Sequence, residues 1–416
     1  MIAIRCNPDD GYGWTNLASL MSSNDTVTVN GNTLKQCCDE ALRSDPSDAH
    51  LWVSAGRKLP RHQTVSVDGK EYTVQECFLQ SLRLDVKLHL AWVALGSTLR
   101  SGQTARVDDK LYSEVECFIQ AVVHAPDFAE GWCILGGSLL NAQTVVINGK
   151  EFTSRDCLLE ALRHDSSHSS TWIYLASRMM RTESIVILGK QFNQLQCYLE
   201  GLRCSPTSSF AWVHVGRNIP AGATVTLNGK KYTDQDCFHE AMRHNPNDCS
   251  VWMSLGNWLL PAMKTFTFGN NQYNPQNCFL EAVRCDPDYY EGWLSLATVI
   301  WKPVTVNGKV YNKQQCFLEA LRCDCNVGRT WNSLGTALAD DEKVKVNGTV
   351  YTKQECILQA LHLQPTLDRG WRNLAGTLTK DAKIVVNGKQ FDRVQCVLEA
   401  LRIDPNEAEG LLHRTV

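Results

Sequence analysis

Eighteen cysteines and eleven histidines in 416 residues are the side chains that could do chemistry. Ten of the cysteines recur at one place: Cys37, Cys77, Cys117, Cys157, Cys197, Cys237, Cys278, Cys316, Cys356 and Cys396. Such a ladder invites a disulfide or metal reading. Equivalent sites in stacked units stand roughly 10 Å apart, beyond the roughly 4.4–6.8 Å between Cα atoms that a disulfide tolerates. Cys323-Asp324-Cys325 and Cys37-Cys38 have no CxxC partner at zinc spacing. Each ladder cysteine also follows a helix-capping residue by four positions, and an aromatic usually precedes the cap, as Tyr72 precedes Thr73. That is the pattern of a hydrophobic staple, with cysteine as a small buried apolar group. Free thiols throughout fit a reducing compartment.

The histidines recur at no fixed position. His164 and His168 are four apart, a spacing that could hold a metal on one helical face, but Asp165 and Ser166 between them read as a turn. The sequence contains no phosphate-binding glycine loop, dinucleotide fingerprint, HExxH pair or nucleophile elbow. Asn24-Asp25-Thr26 and Asn347-Gly348-Thr349 are formal glycosylation sequons, the second inside a turn. No catalytic group, cofactor or metal is therefore expected, and the chain is not expected to be an enzyme.

The chain is 44% hydrophobic and 20% charged, with 41 basic against 44 acidic side chains and a net charge of −3. This balance gives no global field for nucleic acid or an anionic membrane. No apolar run approaches the roughly 18 residues of a membrane span. Met1 to Asp10 already contains Pro8 and leaves no room for a signal peptide, so a cytoplasmic location is expected.

The elements that would position any site follow from a repeat. Trp14, Trp52, Trp92, Trp132, Trp172, Trp212, Trp252, Trp293, Trp331 and Trp371 fall at steps of 38 to 41 residues. A period of that size signals units that bury their apolar faces only against neighbours. Residues three, four and seven after each Trp are restricted, as in Leu95, Gly96 and Leu99, and the middle one is always Gly or Ala. Offsets of 0, 3, 4 and 7 mark one face of a helix, here helix A. Pro60, Pro220 and Pro261 stand where it should end.

Next comes a strand, a turn and a strand, such as Thr64-Val65-Ser66-Val67, Asp68-Gly69 and Lys70-Glu71-Tyr72. An Asn-Gly or Asp-Gly pair between alternating residues signals a tight hairpin, because both turn positions need positive φ. This one would pair Val65 with Tyr72 and Val67 with Lys70, giving the hairpin one face to bury. Asn30-Gly31, Asn148-Gly149, Asn228-Gly229, Asn307-Gly308, Asn347-Gly348 and Asn387-Gly388 repeat the turn, and Asp108-Asp109 and Leu188-Gly189 are its weaker copies. Helix B then opens on a capping box, as in Thr73 with Glu76 or Asp392 with Gln395. In one copy Asn274-Pro275 adds a proline at the first helical position. Helix B closes on Ala-Leu-Arg or similar, usually before Asp-Pro or Asn-Pro.

This skeleton resembles the tetratricopeptide repeat, whose 34-residue helix-turn-helix carries a Trp, a Leu-Gly, a later aromatic and Ala, and a closing Pro. Trp293, Leu296, Ala297, Phe317, Ala320 and Leu321 show both halves of the pattern. The closing position precedes the next Trp by six residues here, as in the family; Pro46 to Trp52 is an example. About six extra residues lie between the helices, where the hairpin sits. The resemblance implies a mainly α fold: a right-handed α-solenoid of about ten helix-hairpin-helix units with β-hairpins along one edge. The array is read as one domain, 1–416, with units near 9–46, 47–86, 87–126, 127–166, 167–206, 207–246, 247–287, 288–325, 326–365 and 366–405, and partial units at 1–8 and 406–416. Two strands occupy roughly 9.6 Å, close to the roughly 8–10 Å spacing of packed helices. Successive hairpins could thus join into an edge sheet. Strand twist favours the alternative, in which each folds onto its own unit.

In the family, helix A lines a concave groove for peptides, with groove-facing positions two before and one, five and eight after the Trp. Carried over, the resemblance implies His50, Arg57, Arg100, Phe210, Arg217, Asn257, Trp301, Arg329, Arg369 and Arg372 as partner-binding residues. Arg329, Arg369 and Arg372 form the best local group and suggest an acidic partner segment. The expected function is a protein-protein interaction scaffold or structural component of a large intracellular complex, such as a cytoskeletal one, using the helix A face and the hairpin edge. The alternative is a helical-repeat RNA-binding protein, which the near-neutral charge disfavours. The incomplete end units suggest end-to-end self-association, and neither membrane nor nucleic acid is an expected partner.

Overall fold

The computed structural model describes residues 10–19, 33–99, 102–140, 143–220, 222–379 and 381–404. Arg100, the Asn30-Gly31 turn, the first sequon and both end units expected from the sequence lie outside them. The chain divides into two compact units, Met1–Pro206 and Thr207–Val416. Repeats 1–5 lie in the first and repeats 6–10 in the second.

In the first unit, helix A occupies Gly11–Ser19, Ala49–Lys58, His89–Thr98, Ala129–Ser138 and Ser169–Ser177; helix B occupies Leu34–Ser44, Val74–Leu84, Glu114–His124, Ser154–His164 and Gln194–Cys204. In the second unit, helix A occupies Ser209–Asn218, Cys249–Leu259, Tyr290–Val299, Gly328–Ala337 and Asp368–Thr377. Its helices B are Asp234–His244, Pro275–Cys285, Lys313–Cys323, Lys353–Leu363 and Arg393–Ile403. Below, A1–A10 and B1–B10 denote these helices in chain order.

Every helix B opens on the expected capping box. Thr73 Oγ1 accepts from the Glu76 backbone N–H at 3.3 Å, and the Glu76 carboxylate accepts from the Thr73 N–H at 2.8 Å. The same reciprocal pair is formed by Asn193 with Gln196, Asn274 with Asn277 and Asp392 with Gln395. Two otherwise orphaned donors are satisfied at each start. In seven of the ten helices B the arginine in the last turn pairs with a glutamate three residues earlier, as Arg163 does with Glu160 at 2.6 Å. A2 and A6 end two residues before Pro60 and Pro220, and Pro261 lies in a short 3-10 turn, Leu260–Ala262, after A7.

Nine hairpins are described, and each is a separate two-stranded sheet. The register of the first is Val65↔Tyr72, Ser66↔Glu71 and Val67↔Lys70, as the tight turn requires. Turn residues Asp68 and Gly69 have φ of 50° and 75°. No ladder joins hairpins of neighbouring repeats among the described residues, so the edge-sheet alternative is excluded there.

Each hairpin instead packs on its own repeat's tryptophan, and several also rest on helix B of the repeat before, as where the Ser66 N–H donates to Asp39 at 2.7 Å. The aromatic that ends the second strand lies against the repeat's tryptophan: ring centroids are 4.9 Å apart for Trp52 and Tyr72, 5.2 Å for Trp132 and Phe152, and 4.8 Å for Trp371 and Phe391. The tryptophan's other edge is fixed by a hydrogen bond. Its Nε1–H donates to the carbonyl six residues earlier: Pro46 for Trp52 and Pro126 for Trp132, both at 2.8 Å. Trp252, Trp293 and Trp371 repeat the bond to Pro246, Pro287 and Pro365 at 2.8 Å. The six-residue spacing is therefore the reach of an indole N–H back to the closing turn. A buried indole left without that acceptor would incur the full desolvation cost of its N–H.

The small residue four after each tryptophan marks where helix A meets helix B. A Cβ on Gly96 would stand 2.6 Å from Phe118 Cε1 and 3.1 Å from Cys117 Cβ; on Gly335 it would stand 2.9 Å from Ile357 Cγ1 and 3.2 Å from Cys356 Cβ. All ten ladder cysteines are fully buried, and none is in a disulfide. Burial pushes the Cys77, Cys117 and Cys356 thiols up to about 12, so they stay protonated and apolar.

Candidate functional site

Helix A presents the variable face of each repeat, and in the second unit four successive helices A enclose a cavity of about 380 Å³. Its lining is Arg217 of A6, Ser250, Met253, Ser254 and Asn257 of A7, Tyr289, Tyr290, Glu291, Leu294 and Ser295 at and within A8, and Arg329 of A9. Three residues expected from the sequence, Arg217, Asn257 and Arg329, thus meet in one place. Arg217 stands five after Trp212, Asn257 five after Trp252, and Arg329 two before Trp331, so packing of the tryptophans turns all three to one side.

An exposed carboxylate of the lining is held by two phenols. Tyr289 and Tyr290 both donate to Glu291, to Oε2 at 2.6 Å and to Oε1 at 3.1 Å. Burial, and then the hydrogen bond to Glu291, pushes both phenols above their ordinary value, so both remain donors at neutral pH. Arg329 acts on Tyr290 in the opposite sense, which places its charge beside that ring. Behind the cavity, His214 is held down to about 4 by burial and then by Arg217, and it is neutral at physiological pH. Two guanidinium groups against one carboxylate already engaged by two phenols leave the cavity net positive, with serine hydroxyls and the Asn257 amide between. Such a set can accept carboxylate or carbonyl groups of an extended chain.

The remaining expected residues fall elsewhere. Arg329 and Arg372 line different cavities: Arg372 is half-buried, ion-paired to Asp368, and lines one of about 270 Å³ with Asn373, Thr336 and Thr377. Arg369 is exposed on the first turn of A10. Phe210 stacks on His214 with centroids 4.3 Å apart. Trp301, 77% exposed, follows A8 and carries Lys302 Nζ 4.3 Å above its ring. His50 and Arg57 are exposed on A2 in the first unit. His168 precedes A5 without a side-chain capping bond and its Nδ1 is 2.7 Å from Thr171 Oγ1, while His164 ends B4. Among the described residues no group of three or more His, Cys, Asp or Glu is placed to hold a metal ion, and no helix is long and apolar enough to cross a membrane.

Sequence reasoning missed Tyr289, Tyr290, Ser254 and Ser295. The groove offsets alone select Ser250, Met253, Glu291 and Leu294, which do line the cavity; the missed four stand four or three before, or two after, a tryptophan. The run Tyr289-Tyr290-Glu291 just ahead of Trp293 was the available signal, since two phenols beside a carboxylate are equipped to hydrogen-bond it.

No protein-family model and no curated protein matches the chain. Among solved structures it is similar to a human IFIT1 dimer with PPP-AAAA, at 12% identity over 87% of this chain and 73% of that one, with a TM-score of 0.41. It is also similar to yeast Tom70, at 13% identity over 89% of this chain and 81% of that one, with a TM-score of 0.35. Scores at that level fix neither pitch nor ligand. The assignment rests on the repeat itself, the helix pair, its small-residue contact and the tryptophan tied to the closing turn. By fold, the chain is a tetratricopeptide-like repeat protein in which a β-hairpin occupies the turn between the two helices of each repeat.

Proposed function

We propose that this chain is a non-catalytic protein-interaction scaffold that holds an extended, carboxylate-bearing peptide segment of a partner on its helix A face, in the cavity of repeats 6–9. The observation that carries the reading is the convergence of Arg217, Asn257 and Arg329 around a carboxylate already committed to Tyr289 and Tyr290. The two guanidinium groups outnumber the single Glu291 carboxylate in this lining, and a partner carboxylate that meets either one forms a charge-assisted hydrogen bond. A frame of repeats whose packing positions are fixed and whose helix A surface varies suits a scaffold within a larger assembly.

The test is fluorescence polarisation of the 416-residue chain with three labelled probes: a peptide of alternating Asp and Leu, its Asn-for-Asp counterpart, and a single-stranded oligoribonucleotide. The reading expects saturable binding of the acidic peptide alone, weakening as salt rises. Equal binding of the neutral peptide would overturn the charge argument. Tighter binding of the oligoribonucleotide, with a steep salt slope, would favour the RNA-binding alternative.

A further inference from the structure

We propose that Cys249 and Cys285, at the start of A7 and the end of B7, are a thiol pair that closes reversibly into an intra-repeat disulfide on exchange with a low-molecular-weight disulfide. The inference goes beyond the peptide-binding reading and does not depend on it. The pair is distinct from the ladder: Cys249 stands three before Trp252, and Cys285 seven after the buried Cys278. Only repeat 7 has a thiol at both places.

The repeat geometry puts these two positions in contact. In repeat 1 they are Gly11 and Ser44, and a Cβ on Gly11 would press on Ser44 Oγ inside van der Waals distance, with Ala41 O at 3.0 Å. In repeat 2 the same first-turn residue of helix A, Ala49, gives its carbonyl to Ser81 Oγ at 2.8 Å, and in repeat 5 Ser169 Oγ reaches Gly201 O at 2.8 Å. The start of helix A therefore lies on the last two turns of helix B in each case. Side chains that near satisfy the roughly 3.5–4.5 Å between Cβ atoms that a disulfide needs. In repeat 7 itself each thiol feels the charge of the other's neighbourhood: Cys249 acts on Cys285, and Asp286 acts on Cys249. Cys285 is exposed and Cys249 half-buried, so a small reagent can reach them, unlike the ladder. Cys323, the corresponding residue of the next helix B, is turned toward Pro287 O at 3.6 Å.

The exchange balances without a further oxidant. The Cys285 thiolate attacks one sulfur of glutathione disulfide, breaking its S–S bond and releasing one glutathione thiolate. The Cys249 thiolate then attacks Cys285 Sγ and releases the second. The protons of the two cysteines end on two glutathiones, the cysteines are oxidised, and the glutathione disulfide is reduced. Burial holds both thiols above their ordinary value, so closure is slow at neutral pH and quickens as pH rises.

The reduced 416-residue chain is incubated with glutathione disulfide at pH 7, 7.5 and 8, quenched with N-ethylmaleimide and mapped by mass spectrometry without reduction. Expected are Cys249 and Cys285 peptides joined with loss of two hydrogens, restored to free thiols by dithiothreitol and formed severalfold faster at pH 8 than at pH 7. Cys249→Ser should leave a stable glutathione on Cys285, and Cys323→Ser should leave the joined product unchanged. A native chain that keeps glutathione on Cys285 beside an unmodified Cys249, that joins Cys285 to Cys323, or that closes at a pH-independent rate overturns the proposal. The readout is covalent, so its failure is distinguishable from a failure to bind peptide.

Discussion

A single residue type anchors most of the restricted positions: the tryptophan holds the closing turn through its N–H and the hairpin through its aromatic, while the small residue four after it meets helix B. The spacing of these residues was legible in the sequence. The reason for the glycine or alanine was legible only as a close approach, and the structure supplies the neighbour: Phe118 and Cys117 leave no room beside Gly96. Gly96→Ala is therefore expected to destabilise repeat 3 by about 1–3 kcal/mol through overpacking, despite alanine's better helix propensity; urea denaturation of the two chains checks it. The opposite sign is expected at Leu188, a leucine held at φ of 49° in a turn that asparagine fills elsewhere. Leu188→Asn should raise stability by about 0.5–1 kcal/mol by relieving that conformation, read as a higher denaturant midpoint with an unchanged slope.

Capping boxes and hairpin registers could be read from the chain because both are local: the residues that decide them lie within ten positions of one another. The destination of the hairpins could not. Alternation identifies which face of a two-stranded ribbon is buried, and it is silent on what buries it. The answer lies in the tryptophan some twenty residues earlier, and Trp92 with Tyr112, 4.8 Å between centroids, shows the contact. Tyr112→Ala should cost about 2–4 kcal/mol, since it removes both the ring's buried area and the aromatic pair, and should speed hydrogen exchange across Thr104–Ser113 first. The capping carboxylates give the helix starts a pH dependence. Hydrogen bonds from the capping residue lower Glu76, Glu116, Asp156, Asp236 and Glu355 below their ordinary values, the backbone N–H acting most at Glu76, Glu116, Asp236 and Glu355 and the Thr153 hydroxyl at Asp156. A carboxylate depressed in the folded state contributes stability that is fully present above its unfolded pKa and lost as pH falls through the folded one. The melting midpoint should accordingly hold from pH 7 to about 5 and fall steadily below about 4.5; differential scanning fluorimetry across that range checks it.

At the scale of the molecule, the two units share one construction, and function rests on what the helix A surfaces add to it. The groove offsets select Arg217, Asn257 and Arg329, which line one cavity, and also Arg372, which lines another, and Arg369, which is exposed on A10. Arg372 lies four residues after Asp368 on A10, an i, i+4 ion pair that was written in the sequence and removes the side chain from an acidic ligand. The cavity itself was not legible, because it needs residues from four repeats whose lateral placement comes from packing rather than from spacing. The claim that this face binds a partner through its arginines is tested most directly by isothermal titration of the acidic peptide into the native chain, the Arg217→Glu/Arg329→Glu double variant and an Arg57→Glu control on A2. The account predicts that the double variant loses at least about a hundredfold in affinity, as two charge-assisted contacts of about 1.5–3 kcal/mol each imply, while its melting midpoint and the control's affinity stay unchanged. Undiminished affinity in the double variant would contradict it.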